Sequence, residues 1–196
     1  HAGGKFDNKT YKISGGLHGV GISVTNALST WLEARVKRDG NIYFQKYENG
    51  VPVAEVKIVG QAEGTGTSIT FMPSTNVFET VIFDYDLLAK RLKELAFLNA
   101  GVKIEIKDER DGKEASYKYD GGIKSFVAFL NKGKQALFNE PLYIKKETDH
   151  TSLEVSLQYN EGYIDTVYTF CNGINTVEGG QHLTGFYLAL TRSIND

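Results

Sequence analysis

The residues best suited to chemistry are glycines. Gly15, Gly16, Gly19 and Gly21 fall within seven positions of the run Ser14-Gly15-Gly16-Leu17-His18-Gly19-Val20-Gly21, which leads directly into the apolar segment Ile22 to Leu28. Without a Cβ, such a loop adopts left-handed backbone at low cost, and successive N–H groups can converge on one anion at the start of a helix. The helix end adds partial positive charge and amides that lack an intrahelical acceptor. The chemistry this predicts is phosphate binding. Glycine-rich turns into helices also occur with nothing bound, so spacing alone leaves both readings open.

A loop of this kind needs a scaffold, and the rest of the chain supplies one. Ile22, Val24, Ala27, Leu28, Trp31 and Leu32 approximate helical spacing, with the helix predicted to end near Ser29. Strand-like runs at 32–38 and 41–48 flank Asp39-Gly40, whose residues tolerate the positive φ angles of a tight hairpin. Asn49-Gly50 makes a second turn into a predicted strand at 51–59, giving a three-stranded antiparallel meander. The run 67–72, closed by Pro73, reads as another strand. A helix over 84–99 carries Leu88, Leu92 and Leu95 on one stripe with Leu87 beside it, and Gly101 stops it. Strands at 102–108 and 115–119 pair across Asp111-Gly112.

Asp120-Gly121-Gly122 marks a seam between predicted domains 1–120 and 121–196. Beyond it come a helix at 123–131 with Phe126, Val127 and Leu130 apolar, an irregular stretch 132–141, and strands at 142–146, 152–159 and 163–171. The last two are expected to join through Asn160-Glu161-Gly162. A closing helix from Gly180 is expected to bury Leu183, Phe186, Tyr187, Leu190 and Ile194. The pattern is α+β, with helices on one face of a largely antiparallel sheet.

Composition narrows the function. With 196 residues, 41% hydrophobic and 23% charged, the chain suffices for one ordinary domain or two small ones. A net charge of −2 argues against a general nucleic-acid clamp. Lys124, Lys132, Lys134, Lys145 and Lys146 read equally as solvated surface or as a DNA-lining patch. Cys171 is the single cysteine, so neither an internal disulfide nor a paired-cysteine zinc site is expected, and a reducing cytoplasm is the natural compartment. Its simplest place is a buried strand. No signal pattern and no long apolar run occurs. The opening His1-Ala2-Gly3-Gly4-Lys5-Phe6-Asp7 reads as the middle of a loop, so the chain is expected to be an internal piece of a longer polypeptide.

Several separated motifs then arrive in one order. His1 to Asp7, Tyr11-Lys12, Ser14 to Gly21, Gly66-Thr67 before Pro73, Ala89-Lys90-Arg91-Leu92 with Phe97-Leu98-Asn99, and Glu178-Gly179-Gly180-Gln181-His182 with Gly185-Phe186 run through nearly the whole chain. Together they resemble the ATPase subunits of bacterial type IIA topoisomerases: DNA gyrase B first, the corresponding topoisomerase IV protein close behind. The resemblance implies the C-terminal part of a gyrase, histidine-kinase and MutL-type ATPase domain, followed by the incomplete start of a transducer domain with a ribosomal-protein-S5-like fold. It implies ATP and Mg²⁺ as cofactors. It also implies DNA and an A-type subunit as partners, with ATP-driven closure of a homodimer around a DNA segment.

Carried over residue by residue, Gly16, Leu17, His18, Gly19, Val20 and Gly21 match the lid whose amides hold the β- and γ-phosphates. Lys5 and Tyr11 match lid residues that contact nucleotide. Thr67 matches the threonine that helps fix the adenine-binding carboxylate and its water, and Arg38 matches an arginine that aminocoumarin inhibitors engage. Taken alone, each has an ordinary alternative: Lys5 as a solvated cation, Thr67 as a β-former, Arg38 as an exposed hairpin residue.

The departures are as informative. The family's glutamate general base, its magnesium-holding asparagine and its Asp-x-Gly-x-Gly adenine segment have no match here and are expected upstream of His1; the γ-phosphate lysine loop is expected after Asp196. Glu94 and Asp111-Gly112 do not replace them. No catalytic residue and no metal ligand is therefore assigned within the chain, which is expected not to turn over ATP by itself, because water activation and charge stabilisation are separate contributions. The contrasting reading is a catalytically silent, truncated paralogue that serves as a protein-binding module.

Overall fold

The structure is a computed structural model that describes residues 19–149 and 151–196. The chain divides into two compact units between Ile82 and Phe83.

In the first unit, helix α1 (Gly21–Ala27) leads through Leu28 into strand β1 (Ser29–Arg38). The strand begins three residues before the expected Leu32. Ser29, 2% exposed, donates from Oγ to the Thr25 carbonyl at 2.6 Å, which ties the helix end to the first strand residue. Strand β2 (Asn41–Glu48) pairs antiparallel with β1 from Arg38↔Asn41 to Trp31↔Glu48. Asp39 and Gly40 take φ angles of 51° and 76°, the two left-handed positions that this hairpin turn requires.

The expected strand over 51–59 is broken in two. Strand β3 (Val51–Pro52) and strand β4 (Lys57–Gln61) each pair with β2, and residues between them leave the ladder. Pro52 has no N–H to donate, and the Gln45 side chain bridges the gap by donating to the Ala54 carbonyl at 2.8 Å. Strand β5 (Gly66–Pro73) closes the sheet on the other side of β1, antiparallel, with Leu32 opposite Phe71. The strand order is β3-β2-β1-β5, and Leu32 (2% exposed) is the buried apolar centre.

The second unit starts with helix α2 (Tyr85–Leu98), whose N-cap Asp84 accepts from the Leu87 amide at 2.9 Å. The expected leucine stripe is buried only in part: Leu92 and Leu95 are half-buried. Leu87 and Leu88 are exposed, whereas Ala89, Ala96 and Phe97 are buried. The reason is tertiary: Phe97 stacks on Tyr119 with centroids 3.6 Å apart and meets Phe126 and Phe129 at 5.1 and 5.4 Å, so the aromatic side of the helix turns inward. Strands β6 (Ile104–Lys107) and β7 (Glu114–Tyr117) form a hairpin with shorter strands than expected, although β7 starts one residue earlier. The seam residues Asp120-Gly121-Gly122 lie inside this unit, at the start of helix α3 (Gly122–Leu130), which buries Phe126.

Strands β8 (Leu142–Glu147) and β9 (Ser152–Leu157) pair with each other. The expected strand over 163–171 does not pair with β9. Only strand β10 (Phe170–Cys171) forms, folding back on strand β11 (Ile174–Asn175) across Asn172-Gly173, whose φ angles of 50° and 77° set a local turn. The second unit thus holds three two-stranded ladders rather than part of one sheet. Helix α4 (Gln181–Asn195) buries none of its residues; Tyr187 and Ile194 are exposed, and Leu183, Phe186 and Leu190 are half-buried. Cys171 is exposed rather than buried, because its ladder has two rungs and its partner Ile174 is exposed as well.

Candidate functional site

Of the expected phosphate-binding residues, Lys5, Tyr11, Gly16, Leu17 and His18 lie outside the described residues. Gly19, Val20 and Gly21 are described. Gly19 has φ +67°, the left-handed conformation a phosphate-cradling turn calls for, and Val20 is the N-cap of α1. Val20 offers no side-chain acceptor to the first-turn amides, and the helix's first turn closes only at Val24 N–H to the Val20 carbonyl, 2.9 Å. Gly19 is half-buried, Val20 and Gly21 are exposed, and α1 buries no residue. A Cβ at Gly21 would meet nothing within 4 Å.

Thr67 and Arg38 come together at one end of the sheet. Thr67 on β5 faces Val36 on β1, two residues from Arg38. Both side chains are on exposed residues. Arg38 reaches only its neighbour Asp39, Nε to Oδ2 at 3.5 Å, an exposed pair that contributes little to stability. Helix α1 enters β1 at the opposite end, through Ser29. From Ser29 to Val36 the strand spans about 23 Å at 3.3 Å per residue. Helix α1 thus joins β1 at its start, and Thr67 with Arg38 lies toward its end. Along the strand between them, Arg35 lies over the Phe44 ring at 4.8 Å and pairs with Glu33 at 3.2 Å. On the neighbouring strand, the Glu48 carboxylate, 2.9 Å from Lys46 Nζ, raises the lysine pKa.

No three His, Cys, Asp or Glu side chains gather as a metal-binding group among the described residues. Among the same residues, no helix is long and apolar enough to cross a membrane.

The second unit contains a cleft that motif reading did not anticipate. It has a volume of about 220 Å³ and is lined by Tyr168, Thr169, Asn175, Thr176, Gly179 and Leu183, among others. Asn172-Gly173, the strongest short-range hairpin dipeptide in that region, was the available signal for the fold-back that forms its wall.

A family model for DNA gyrase B matches residues 122–196. Over its whole length the chain is 54% identical to the DNA gyrase B protein of Bacillus cereus, covering 49% of that protein, and 50% identical to that of Clostridium acetobutylicum, covering 31%. The chain thus spans about half or less of the curated relatives it matches. The fold matches the 43K ATPase domain of Thermus thermophilus gyrase B, solved in complex with an aminocoumarin, at TM-score 0.83 and 36% identity over 90% of this chain and 49% of that one. It also matches the gyrase B protein of Myxococcus xanthus at TM-score 0.81, with 27% identity over 86% of this chain and 50% of the other.

Proposed function

The chain belongs to the DNA gyrase B family of type IIA topoisomerase subunits, and from that membership we propose that it forms part of an ATP-hydrolysing subunit that couples dimer closure to DNA strand passage and supercoiling. The observation that carries this reading is the match at 54% identity across every part of the chain, lid motif included.

Within such a subunit, ATP supplies the energy-yielding chemistry through cleavage of its γ-phosphate. The chain's own part is to hold that nucleotide. The amides of Gly16 to Gly21 would surround the β- and γ-phosphates, supported by the left-handed Gly19 and the open start of α1. Lys5 and Tyr11 would contact the nucleotide from the same lid. Thr67, on β5 opposite Val36, would orient the carboxylate and water that read adenine. Arg38, exposed beside it, would be the contact for aminocoumarins. Residues 1–120 would complete the ATPase domain, and 121–196 would begin the transducer, a boundary supported by the family match that starts at residue 122. DNA, an A-type subunit and a second copy of the ATPase subunit are the partners, and Mg²⁺ would be held by residues other than those described.

The water-activating glutamate and the adenine segment have no counterpart among these residues, so the chain alone is expected to bind nucleotide weakly and not to turn it over. The test uses the complete subunit with its A-type partner and relaxed plasmid. ATP-dependent supercoiling that stops with ADP supports the reading; decatenation without supercoiling, or no ATP-dependent activity, overturns it. Calorimetry showing micromolar ATP affinity for these residues alone would overturn the assignment of the binding machinery.

A further inference from the structure

The Glu178-Gly179-Gly180-Gln181-His182 segment has no role in the nucleotide site, yet its backbone is constrained in a way that only glycine satisfies. Gly180 has φ 152° and ψ 179°, a region essentially closed to L side chains, and a Cβ there would stand 2.9 Å from His182 Cε1 and 3.0 Å from its Nδ1. Gly179 has φ 77°, and its Cβ would press on Leu183 at 3.2 Å. The two glycines let the imidazole fold back over the chain.

What the ring reaches is a chain of hydroxyls whose direction can be worked out from hydrogen counts. Thr169 Oγ1 donates to the Thr176 carbonyl at 2.9 Å, which uses its single hydrogen. The 2.6 Å contact between the Thr169 and Thr176 hydroxyls must then be donated by Thr176. With that hydrogen also committed, the 3.1 Å contact between Thr176 Oγ1 and His182 Nε2 has to be donated by the ring. Backbone bonds run beside it. Thr176 N–H donates to the Thr169 carbonyl at 2.8 Å, Gly179 N–H to the Thr176 carbonyl at 2.8 Å, and Leu183 N–H to the Gly180 carbonyl at 3.0 Å.

We propose that this segment is a clamp in which His182 Nε2–H closes a one-way hydrogen-bond chain through Thr176 and Thr169, locking the β10–β11 hairpin onto the start of α4. His182 is a positioning residue here, and Gly180 is the clearance its ring requires. The hairpin and the first turn of α4 then open as one unit, and the wall of the cleft beside Thr169 and Thr176 moves with them.

The test exploits geometry. Glutamine places its amide N–H near the position of Nε2, asparagine near that of Nδ1. Hydrogen exchange of this chain is followed over residues 169–184 for H182Q, H182N and T176V, with a thermal melt of each as a check on folding. H182N should exchange about five-fold faster across the segment, the loss expected from one net hydrogen bond, while H182Q stays within two-fold of the unaltered chain. T176V should accelerate residues 179–184 to the same extent. Equal exchange in H182N and H182Q overturns the clamp. Should H182N fail to fold, the ring nitrogen NMR signals of the unaltered chain decide: hydrogen on Nε2 supports the proposal, and a neutral ring with hydrogen only on Nδ1 refutes it.

Discussion

Replacing Phe97 with alanine is the most informative single change for the second unit. Phe97 is 1% exposed and is the largest fully buried side chain in the described structure. Its ring lies nearly parallel to Tyr119, at 14°, and touches Phe126 and Phe129, so the deletion removes one member of a four-ring cluster. Returning a buried phenylalanine to water forfeits about 1.5–3 kcal/mol of transfer energy, and the unfilled volume adds a cavity term that brings such deletions to about 3–5 kcal/mol. Lost ring–ring contacts add about 0.5–1.5 kcal/mol. We expect about 4 kcal/mol, a large share of the stability of an ordinary domain. Guanidinium unfolding followed by near-ultraviolet circular dichroism, which reports this ring cluster, measures it. Leu87→Ala on the same helix is the control: Leu87 is 67% exposed and should cost less than about 0.5 kcal/mol. The packing argument is refuted if Phe97→Ala costs under about 1 kcal/mol, or if Leu87→Ala costs as much as Phe97→Ala.

Removing the N-cap of α2 by Asp84→Ala should cost about 1 kcal/mol in the same unfolding experiment, since the Leu87 amide loses its 2.9 Å acceptor. Hydrogen bonds from Arg110 hold the Asp108 carboxyl at about 2 rather than its ordinary 3.8. Because the folded value is the lower one, the associated stability is complete above the ordinary value and fades as pH falls toward 2; Asp108→Asn should abolish that part of the acid dependence of the thermal midpoint. Arg38→Ala should leave stability within about 0.5 kcal/mol, because its pair with Asp39 is exposed, while aminocoumarin affinity of the complete subunit drops about ten-fold or more by titration calorimetry. Unchanged affinity would remove Arg38 from the inhibitor contact.

Local chemistry made much of this protein legible before any folding was known. Asp39-Gly40 and Asn49-Gly50 announced their turns because few residue pairs accept two left-handed positions in succession, and leucine spacing with Gly101 beyond it announced α2. The glycines of the lid, together with Gly66-Thr67 and the Glu178 to His182 segment among other separated motifs, carried the family resemblance through residue identity alone. Tertiary structure decided the rest. Leucine periodicity left out the most deeply buried large side chain of α2, Phe97, which Tyr119 and Phe126, distant in sequence, draw inward. Strand pairing formed β8–β9 and left residues 163–169 out, and hydrophobic alternation does not encode which segments pair. The placement of Thr67 opposite Val36, two residues from Arg38, follows from strand register, a long-range property. The donor role of His182 depends on two threonines brought beside it by the Asn172-Gly173 turn. Backbone preferences act within a few residues and can be read from the chain; burial, register and hydrogen-bond direction belong to contacts that exist only once distant segments meet.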